Sequence, residues 1–403
     1  MQNIILLGLG TTNKSVIKYL IANNITANYY VVSDSYSQED KAFLDDLSFC
    51  YFTPDAFIEQ NIVPDVIIKV PGISLDHLIL INYPQVKVIN DIEISYLATR
   101  NSNTKIIGIT GTNGKTSTTL LLNKVLNEAG YKSFYCGNIG VSPLEVIMNN
   151  RDIDFLVMEL SSFQLSSINQ FSCYIAMILN IAPDHLNYHH TFGDYVNAKM
   201  NLITNLSATK LIVSGYPHLP TSFPVVYVKE GMNNYNNSIS QLNVSMIRNV
   251  LEYLNINQDI LTRILQNQDF VLPHRMEYVA IKDGITYIND SKATNIGATI
   301  NALQQFENII LLVGGSDKGE DMHTLAGFLD NVKQVVAYGT NKLDFSFIPG
   351  IIMTNTLSEA VSIASKLAVE GDTVLLSPAS ASLDQFKDFQ DRGDKFKKLV
   401  DKI

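Results

Sequence analysis

Ile106-Ile107-Gly108-Ile109-Thr110-Gly111-Thr112-Asn113-Gly114-Lys115-Thr116-Ser117-Thr118-Thr119 is the stretch whose reading decides the fold. Residues 105–109 form a strand-like apolar run, Gly111 and Gly114 punctuate a turn, and residues 117–128 favour a helix. Strand, glycine turn and helix in that order make a phosphate cradle. Glycines let backbone N–H groups approach an anion, and the helix N-terminus adds the positive end of its dipole. Lys115 is spaced to reach the outer phosphates, and Thr116 to offer its hydroxyl to magnesium. The strict phosphate-loop spacing places a glycine at Ile109, whereas here Gly108 stands one position early. A glycine turn can be purely structural, but the strand before it and the helix after it weigh for nucleotide binding.

The bulk numbers bound what surrounds this loop. With 403 residues the chain is long enough for two to four domains with sizeable cores. Hydrophobic residues make up 46% and charged residues 17%, the balance of a globular protein rather than a disordered one. A formal charge of −10 excludes a broad basic surface, so no nucleic-acid partner is expected. Cys50, Cys136 and Cys173 are odd in number and unrelated in spacing, which fits a reducing compartment and no metal framework. The chain opens on a strand-like run, and no apolar run approaches the ~20 residues of a membrane span. A cytoplasmic protein without membrane association is the expectation.

Towards the N-terminus, residues 4–7 run into Gly8-Leu9-Gly10 and a helical pattern through Val16 and Leu20, the opening of a Rossmann-like unit. Asn13 occupies the third glycine position of the dinucleotide fingerprint. Residues 29–33 end at Asp34, where an acid commonly meets a ribose hydroxyl. Further strand-like runs reach Pro71-Gly72 and then Asp91 and Glu93. A nicotinamide enzyme and a domain holding another nucleotide diphosphate are both compatible with these residues, as is an ordinary α/β unit.

Beyond the phosphate loop, Gly137-Asn138-Ile139-Gly140 forms a polar turn, and the apolar run 155–158 ends at Glu159. An acid at the end of a strand downstream of a phosphate loop is where a nucleotidase keeps its magnesium carboxylate. The run 174–181 leads to Asp184 and His185, followed by His189 and His190. These histidines could share a helical face, but no second cysteine or histidine group accompanies them, so zinc is not expected. Asp184 and His185 read as functional, and His189 and His190 as solvated or capping residues. Lys199, on the helical run 195–202, reads from spacing alone as a surface lysine. Residues 207–240 look loop-rich, and 239–254 helical.

Residues 272–277 read as a linker into a further α/β unit. There, run 285–288 leads to Asp290-Ser291-Lys292-Ala293-Thr294-Asn295, with a helix expected over 296–306. Run 309–313 leads to Gly314-Gly315-Ser316-Asp317-Lys318, and run 374–376 to Ser377-Pro378-Ala379-Ser380-Ala381-Ser382. Ligands of open parallel sheets sit at such strand ends. The fold class is therefore α/β in three domains: Rossmann-like over 1–98, a central phosphate-loop parallel sheet over 99–271, and Rossmann-like over 272–403.

Over essentially its whole length the chain resembles the Mur ligases of peptidoglycan synthesis. Gly108-Ile109-Thr110-Gly111-Thr112-Asn113-Gly114-Lys115-Thr116 matches that family's variant phosphate loop, which accounts for the displaced glycine. Glu159-Leu160-Ser161-Ser162-Phe163-Gln164-Leu165, the Asp290 segment and Ser382-Leu383-Asp384-Gln385-Phe386 point to the branch that adds D-glutamate. The resemblance implies ATP-dependent joining of D-glutamate to UDP-N-acetylmuramoyl-L-alanine through an acyl phosphate, with two magnesium ions, by a monomer. It implies that Gly111, Thr112, Asn113, Gly114, Lys115, Thr116 and Ser117 hold the triphosphate, joined by Asn243, Arg275, Asp290 and Lys292. Thr116, Glu159, His185 and a carbamylated Lys199 would hold the metals, so the resemblance overturns the surface reading of Lys199. Lys115, Glu159, His185 and Lys199 would be catalytic. Thr11, Thr12, Asp34, Ser35, Gly72, Asn138 and His185 would meet the UDP-linked substrate, and Thr294, Lys318, Ser382 and Phe389 the D-glutamate. Tyr36 replaces the basic residue that often follows the Asp34 segment. A sister Mur ligase, a folylpolyglutamate synthase, an oxidoreductase built on Gly8-Leu9-Gly10 and a regulatory module without ligase chemistry are the alternatives. The last two leave Lys115, Glu159, His185 and Lys199 unexplained as a set.

Overall fold

A computed structural model describes residues 2–217, 219–229, 239–267, 270, 272–317 and 319–403. Their contacts divide the chain into two compact units. One comprises Met1–Ile181, Tyr188–Gly231 and Gln241–Leu261, the other Ala182–Asn187, Met232–Ser240 and Thr262–Ile403.

The first unit holds two sheets. Strands β1 (Asn3–Leu7), β2 (Asn28–Val32), β3 (Cys50–Phe52), β4 (Val66–Lys69) and β5 (Lys87–Ile89) form a parallel sheet in the order β3-β2-β1-β4-β5. The order reverses between β1 and β4, so the loops after these two strands flank the crevice where such sheets bind ligands. Strands β6 (Lys105–Thr110), β7 (Ser133–Gly137), β8 (Phe155–Glu159), β9 (Ile175–Ile178), β10 (Leu211–Ser214) and β11 (Val225–Tyr227) form a second parallel sheet, ordered β11-β10-β9-β6-β8-β7. Its central strands are apolar at nearly every position because both faces are covered by helices. Strands β10 and β11 are two short elements within the stretch 207–240, whose other described residues are loop as expected. The strands are four and three residues long, too short to stand out from their polar surroundings until β10 pairs in parallel with β9 and β11 with β10.

The helix Asp91–Thr99 links the two sheets. Asn90 caps it by accepting from Ile92 N and Glu93 N, and its amide donates to Gln164 O at 2.6 Å. Glu93 is fully buried, and its carboxylate accepts from the backbone N–H groups of Asn169, Gln170 and Phe171 at 2.8–3.0 Å. A carboxylate surrounded by three donors tolerates burial that an isolated one would not.

The second unit contains β12 (Glu277–Lys282), β13 (Ile285–Asn289), β14 (Ile309–Gly315), β15 (Val332–Gly339), β16 (Ile352–Met353) and β17 (Thr373–Leu376), ordered β12-β13-β17-β14-β15-β16. Only the β12–β13 pairing is antiparallel among those described. Asp283 and Gly284 both have positive φ, the requirement of the tight hairpin turn that joins these strands. The register of β12 slips between Tyr278 and Ala280. The linker reading of 272–277 therefore stops one residue into a strand, and the helix expected over 296–306 spans Ile296–Leu303. Among the described residues no helix is long and apolar enough to cross a membrane.

Replacing Glu93 by alanine takes the acceptor from three backbone N–H groups, that of the buried Phe171 among them, and is expected to cost about 3 kcal/mol. Urea unfolding of the variant against wild type reads this directly; an unchanged midpoint would refute the role given to Glu93.

Candidate active site

The phosphate loop lies between β6 and the helix Lys115–Glu128. Gly114 is its N-cap in the left-handed region at φ +80°, and a Cβ there would overlap Asn243 Nδ2, so only glycine fits. Asn243 itself is buried on the helix Gln241–Tyr253, which brings this expected nucleotide contact to the loop. Asn180, just past β9, clamps the loop: Thr112 N donates to its carbonyl at 2.9 Å, Asn113 N to its Oδ1 at 2.9 Å, and its own amide donates to Asn113 O at 3.0 Å.

Two lysines meet at the same backbone. Lys115 Nζ donates to Gly111 O and Thr112 O at 2.8 and 2.9 Å, and Lys199 Nζ to Gly111 O at 2.8 Å. Lys199 is 1% exposed, near the end of the helix Phe192–Met200, with its ammonium 4.6 Å from the centre of the Tyr195 ring. The surface reading from spacing is thus corrected: a short apolar face around Tyr195 and Ala198 carries the lysine inward. Tyr195 in turn has its hydroxyl 2.9 Å from Thr112 Oγ1. Glu159, at the end of β8, is buried; Oε1 accepts from the Asn138 amide at 2.9 Å, while Oε2 is buried with no hydrogen-bond partner among the described residues.

His189 also departs from expectation. It is buried, its Nε2 lies 2.9 Å from Ser162 Oγ, and its ring stacks on Phe163. His190 is exposed, 3.2 Å from Asp76 Oδ2, and remains a solvated residue.

In the first sheet, Thr11 opens the helix Thr11–Ala22 after Gly10, with Thr12 half-buried beside it. Asn13 fills the third glycine position by turning its amide towards Leu7 O, Gly8 O and Ile68 O within 3.2 Å, which fastens the turn without a glycine. Asp34, Ser35 and Gly72 are exposed, and Asp34 lies 3.4 Å from His77 Nε2. Tyr36 donates to Phe52 O and Val31 O, and burial pushes its hydroxyl up to about 12, so it belongs to the edge of the core.

In the second unit, His185 has φ +55°, and its backbone N–H donates to Asp184 Oδ1 at 2.9 Å. The loops after β13, β14 and β17 meet around Arg392, a residue without a motif to mark it. This guanidinium is fully buried and donates to Ser291 Oγ, Ser291 O, Ser380 O and Ala381 O at 2.8–3.2 Å. It thereby fixes the backbones flanking Asp290, Lys292 and Ser382. Lys292 Nζ lies 3.9 Å from the centre of the Phe389 ring, which brings an expected nucleotide contact against an expected D-glutamate contact. Thr294 is half-buried and Ser382 buried, whereas Lys318 lies outside the described residues. Asp290 accepts from Ser377 Oγ and Met276 N, and burial raises its carboxyl to about 7 against the lowering pull of those bonds, Arg275 and Arg392.

The central site fits a nucleoside triphosphate and a divalent cation: a glycine-capped helix N-terminus, two ammonium groups at one turn, a hydroxyl at Thr116 and an unpartnered buried carboxylate oxygen. These features define a phosphate-loop α/β protein. Comparison with known proteins narrows the class. Residues 109–219 match the family model described as Mur ligase middle domain, and residues 274–380 that described as Mur ligase, glutamate ligase domain. A protein named UDP-N-acetylmuramoylalanine--D-glutamate ligase from Natranaerobius thermophilus is 31% identical, the alignment covering 98% of this chain and 97% of that protein. One of the same name from Francisella philomiragia is 33% identical over 99% and 97%. In fold, the chain is similar to a MurF ligase from Thermotoga maritima in complex with ADP, with TM-score 0.63, 15% identity, and coverage of 100% and 96%. The chain belongs to the Mur ligase family, and it is an enzyme.

Because Asp290 is raised, the folded chain binds more protons than the unfolded chain between its ordinary range and pH 7, so its contribution to stability is lost as pH rises through about 7. Replacing Asp290 by asparagine is expected to flatten the fall in unfolding temperature over that window. An unchanged slope would contradict the raised carboxyl.

Proposed function

We propose that this enzyme joins D-glutamate to the alanyl carboxylate of UDP-N-acetylmuramoyl-L-alanine at the expense of ATP, in the cytoplasm and as a monomer. Residues 1–98 would hold the UDP-linked substrate, 99–271 ATP, and 272–403 D-glutamate. The observation that carries the chemistry is the turn at Gly111, where Lys115 and Lys199 converge on one carbonyl.

A carboxylate is a poor electrophile, so its oxygen first attacks the γ-phosphorus of ATP, the bond to the β-phosphate oxygen breaks, and ADP leaves. The amine of D-glutamate then attacks the acyl carbon, loses a proton, and expels phosphate as the amide forms. Lys115, released from its loop carbonyls, neutralises charge on the transferring phosphoryl group. Gly111, Thr112, Asn113, Gly114, Thr116 and Ser117 present the loop and helix end to the triphosphate. Thr116, Glu159, His185 and a carbamylated Lys199 would hold two magnesium ions, whose chemistry is to offset repulsion between the carboxylate and the triphosphate. Asn138, held by Glu159, orients the reacting end of the UDP-linked substrate. Thr11, Thr12, Asp34, Ser35 and Gly72 would line its nucleotide end. Arg275, Asp290 and Lys292 would meet ATP together with Asn243, and Thr294, Lys318, Ser382 and Phe389 would receive D-glutamate.

Phosphate release with UDP-N-acetylmuramoyl-L-alanine and a panel of D- and L-amino acids tests the assignment. Stimulation by D-glutamate is expected, and stimulation only by another amino acid would move the enzyme to a sister activity. Lys115→Ala is expected to abolish turnover yet leave the UDP-linked substrate bound in calorimetry; lost binding would argue against separate sites. Lys199→Ala should regain part of its activity with a small added carboxylate, and no recovery at any concentration would remove the carbamate role.

A further inference from the structure

Lys69 closes β4 with its side chain fully buried. Its ammonium donates to Val70 O at 3.3 Å, Pro71 O at 3.1 Å, Ile73 O at 2.8 Å and the Tyr188 hydroxyl at 3.1 Å. Tyr188 reinforces the arrangement, its hydroxyl lying 3.3 and 3.2 Å from Pro71 O and Ile73 O. Among the described residues no carboxylate pairs with Lys69, so carbonyl dipoles and a phenol alone meet its charge. Burying an ammonium this way costs free energy that a methionine of similar length would not, which points to a role beyond packing.

The bonded loop forms one side of the crevice between β1 and β4. A Cβ at Gly8 would come within 2.7 Å of Ile73 Cδ1 and 3.1 Å of Val70 Cγ2, so residues 70–73 rest directly on the glycine turn after β1. On its far side Tyr188 packs against Phe163 with ring centroids 4.3 Å apart, and Phe163 follows closely on Glu159. One amine thus spans from the expected nucleotide wall to the strand ends of the central sheet.

We propose that Lys69 is a positioning residue for the UDP-linked substrate: its ammonium draws the carbonyls of residues 70–73 inward and fastens that loop to Tyr188. The assignment rests on the functional reading above, in which Gly72 borders the UDP-linked substrate. The charged form offers three N–H donors and the neutral amine two. Burial lowers the amine from 10.5 to about 8, so the loop is held more firmly below that pH than above it. Stability moves the other way, because between those two values the unfolded chain binds more protons than the folded one. The other titratable groups around this contact are Tyr188, whose hydroxyl burial pushes up, Asp76 and His77 on the loop, and His189 and His190 after Tyr188.

Steady-state kinetics of Lys69→Met and Tyr188→Phe against wild type, across the pH range around 8, test the proposal. For Lys69→Met the KM for the UDP-linked substrate is expected to rise about tenfold or more, with kcat and the KM for ATP moving much less. The wild-type kcat/KM for that substrate should fall on an alkaline limb near 8 that Lys69→Met lacks and Tyr188→Phe keeps. Should Lys69→Met fail to fold, a rise in the same KM in Tyr188→Phe, smaller but equally selective, carries the test. Equal losses in every parameter, or a limb that persists in Lys69→Met, would overturn the proposal. Wild-type protein that does not turn over the UDP-linked substrate would sink the functional reading; normal turnover with Lys69→Met unaltered sinks the role of Lys69 alone.

Discussion

An anion-binding loop has to present its N–H groups outward, so its conformation must be held from behind by something other than its own backbone. Asn180 does this from just past the neighbouring strand β9, taking both Thr112 N and Asn113 N and returning its amide to Asn113 O. With the loop so fixed, Gly111 can offer its carbonyl to two ammonium groups at once, and Asn243 can lie against Gly114 where a side chain would forbid it. Tyr195 adds a hydroxyl contact to Thr112 and a ring face to Lys199. The central site is in this sense a consequence of the parallel β6–β9 pairing, which brings Asn180 level with the loop.

The second unit solves a similar problem with a different group. Its three strand-end loops bond one another directly, Ser377 Oγ to Asp290 and Ser316 N to Ala381 O, and a planar guanidinium with several fixed donors adds ties to carbonyls arriving from different directions. Arg392 supplies it from the helix Phe389–Val400. A lysine there would offer one point of charge in place of a fork. The same helix begins with Phe389, so one element sets both the loop scaffold and the ring beside Lys292.

What the sequence made legible follows from range. The phosphate loop, Glu159 and the Asp290 segment lie at the ends of strands buried on both faces, where an uninterrupted apolar run announces the strand and its polar end announces the loop. Strands β10 and β11 were hidden because three or four residues carry no period of their own. Strand β12 was hidden because its alternation is broken by the bulge after Tyr278, although Asp283-Gly284 was a readable hairpin turn. Lys199 and His189 were misplaced by spacing for one reason: burial of a polar residue is decided by partners distant in sequence, Gly111 for one and Ser162 for the other. Arg392, Asn180 and Lys69 have no motif, since most of their partners are backbone carbonyls and amides that any residue type supplies.

The antiparallel β12 also bears on how the molecule behaves in a crowded solution. A parallel sheet ending at β13 would present a straight row of unpaired N–H and C=O groups, a template for strand addition by another chain. Covering it with β12 only moves the problem outward, to a strand whose Tyr278 and Ile281 are more than half exposed. The slipped register between Tyr278 and Ala280 twists that outer edge and spoils its ladder. The bulge thus acts as a guard against aggregation, and straightening it would trade a more regular strand for a stickier protein.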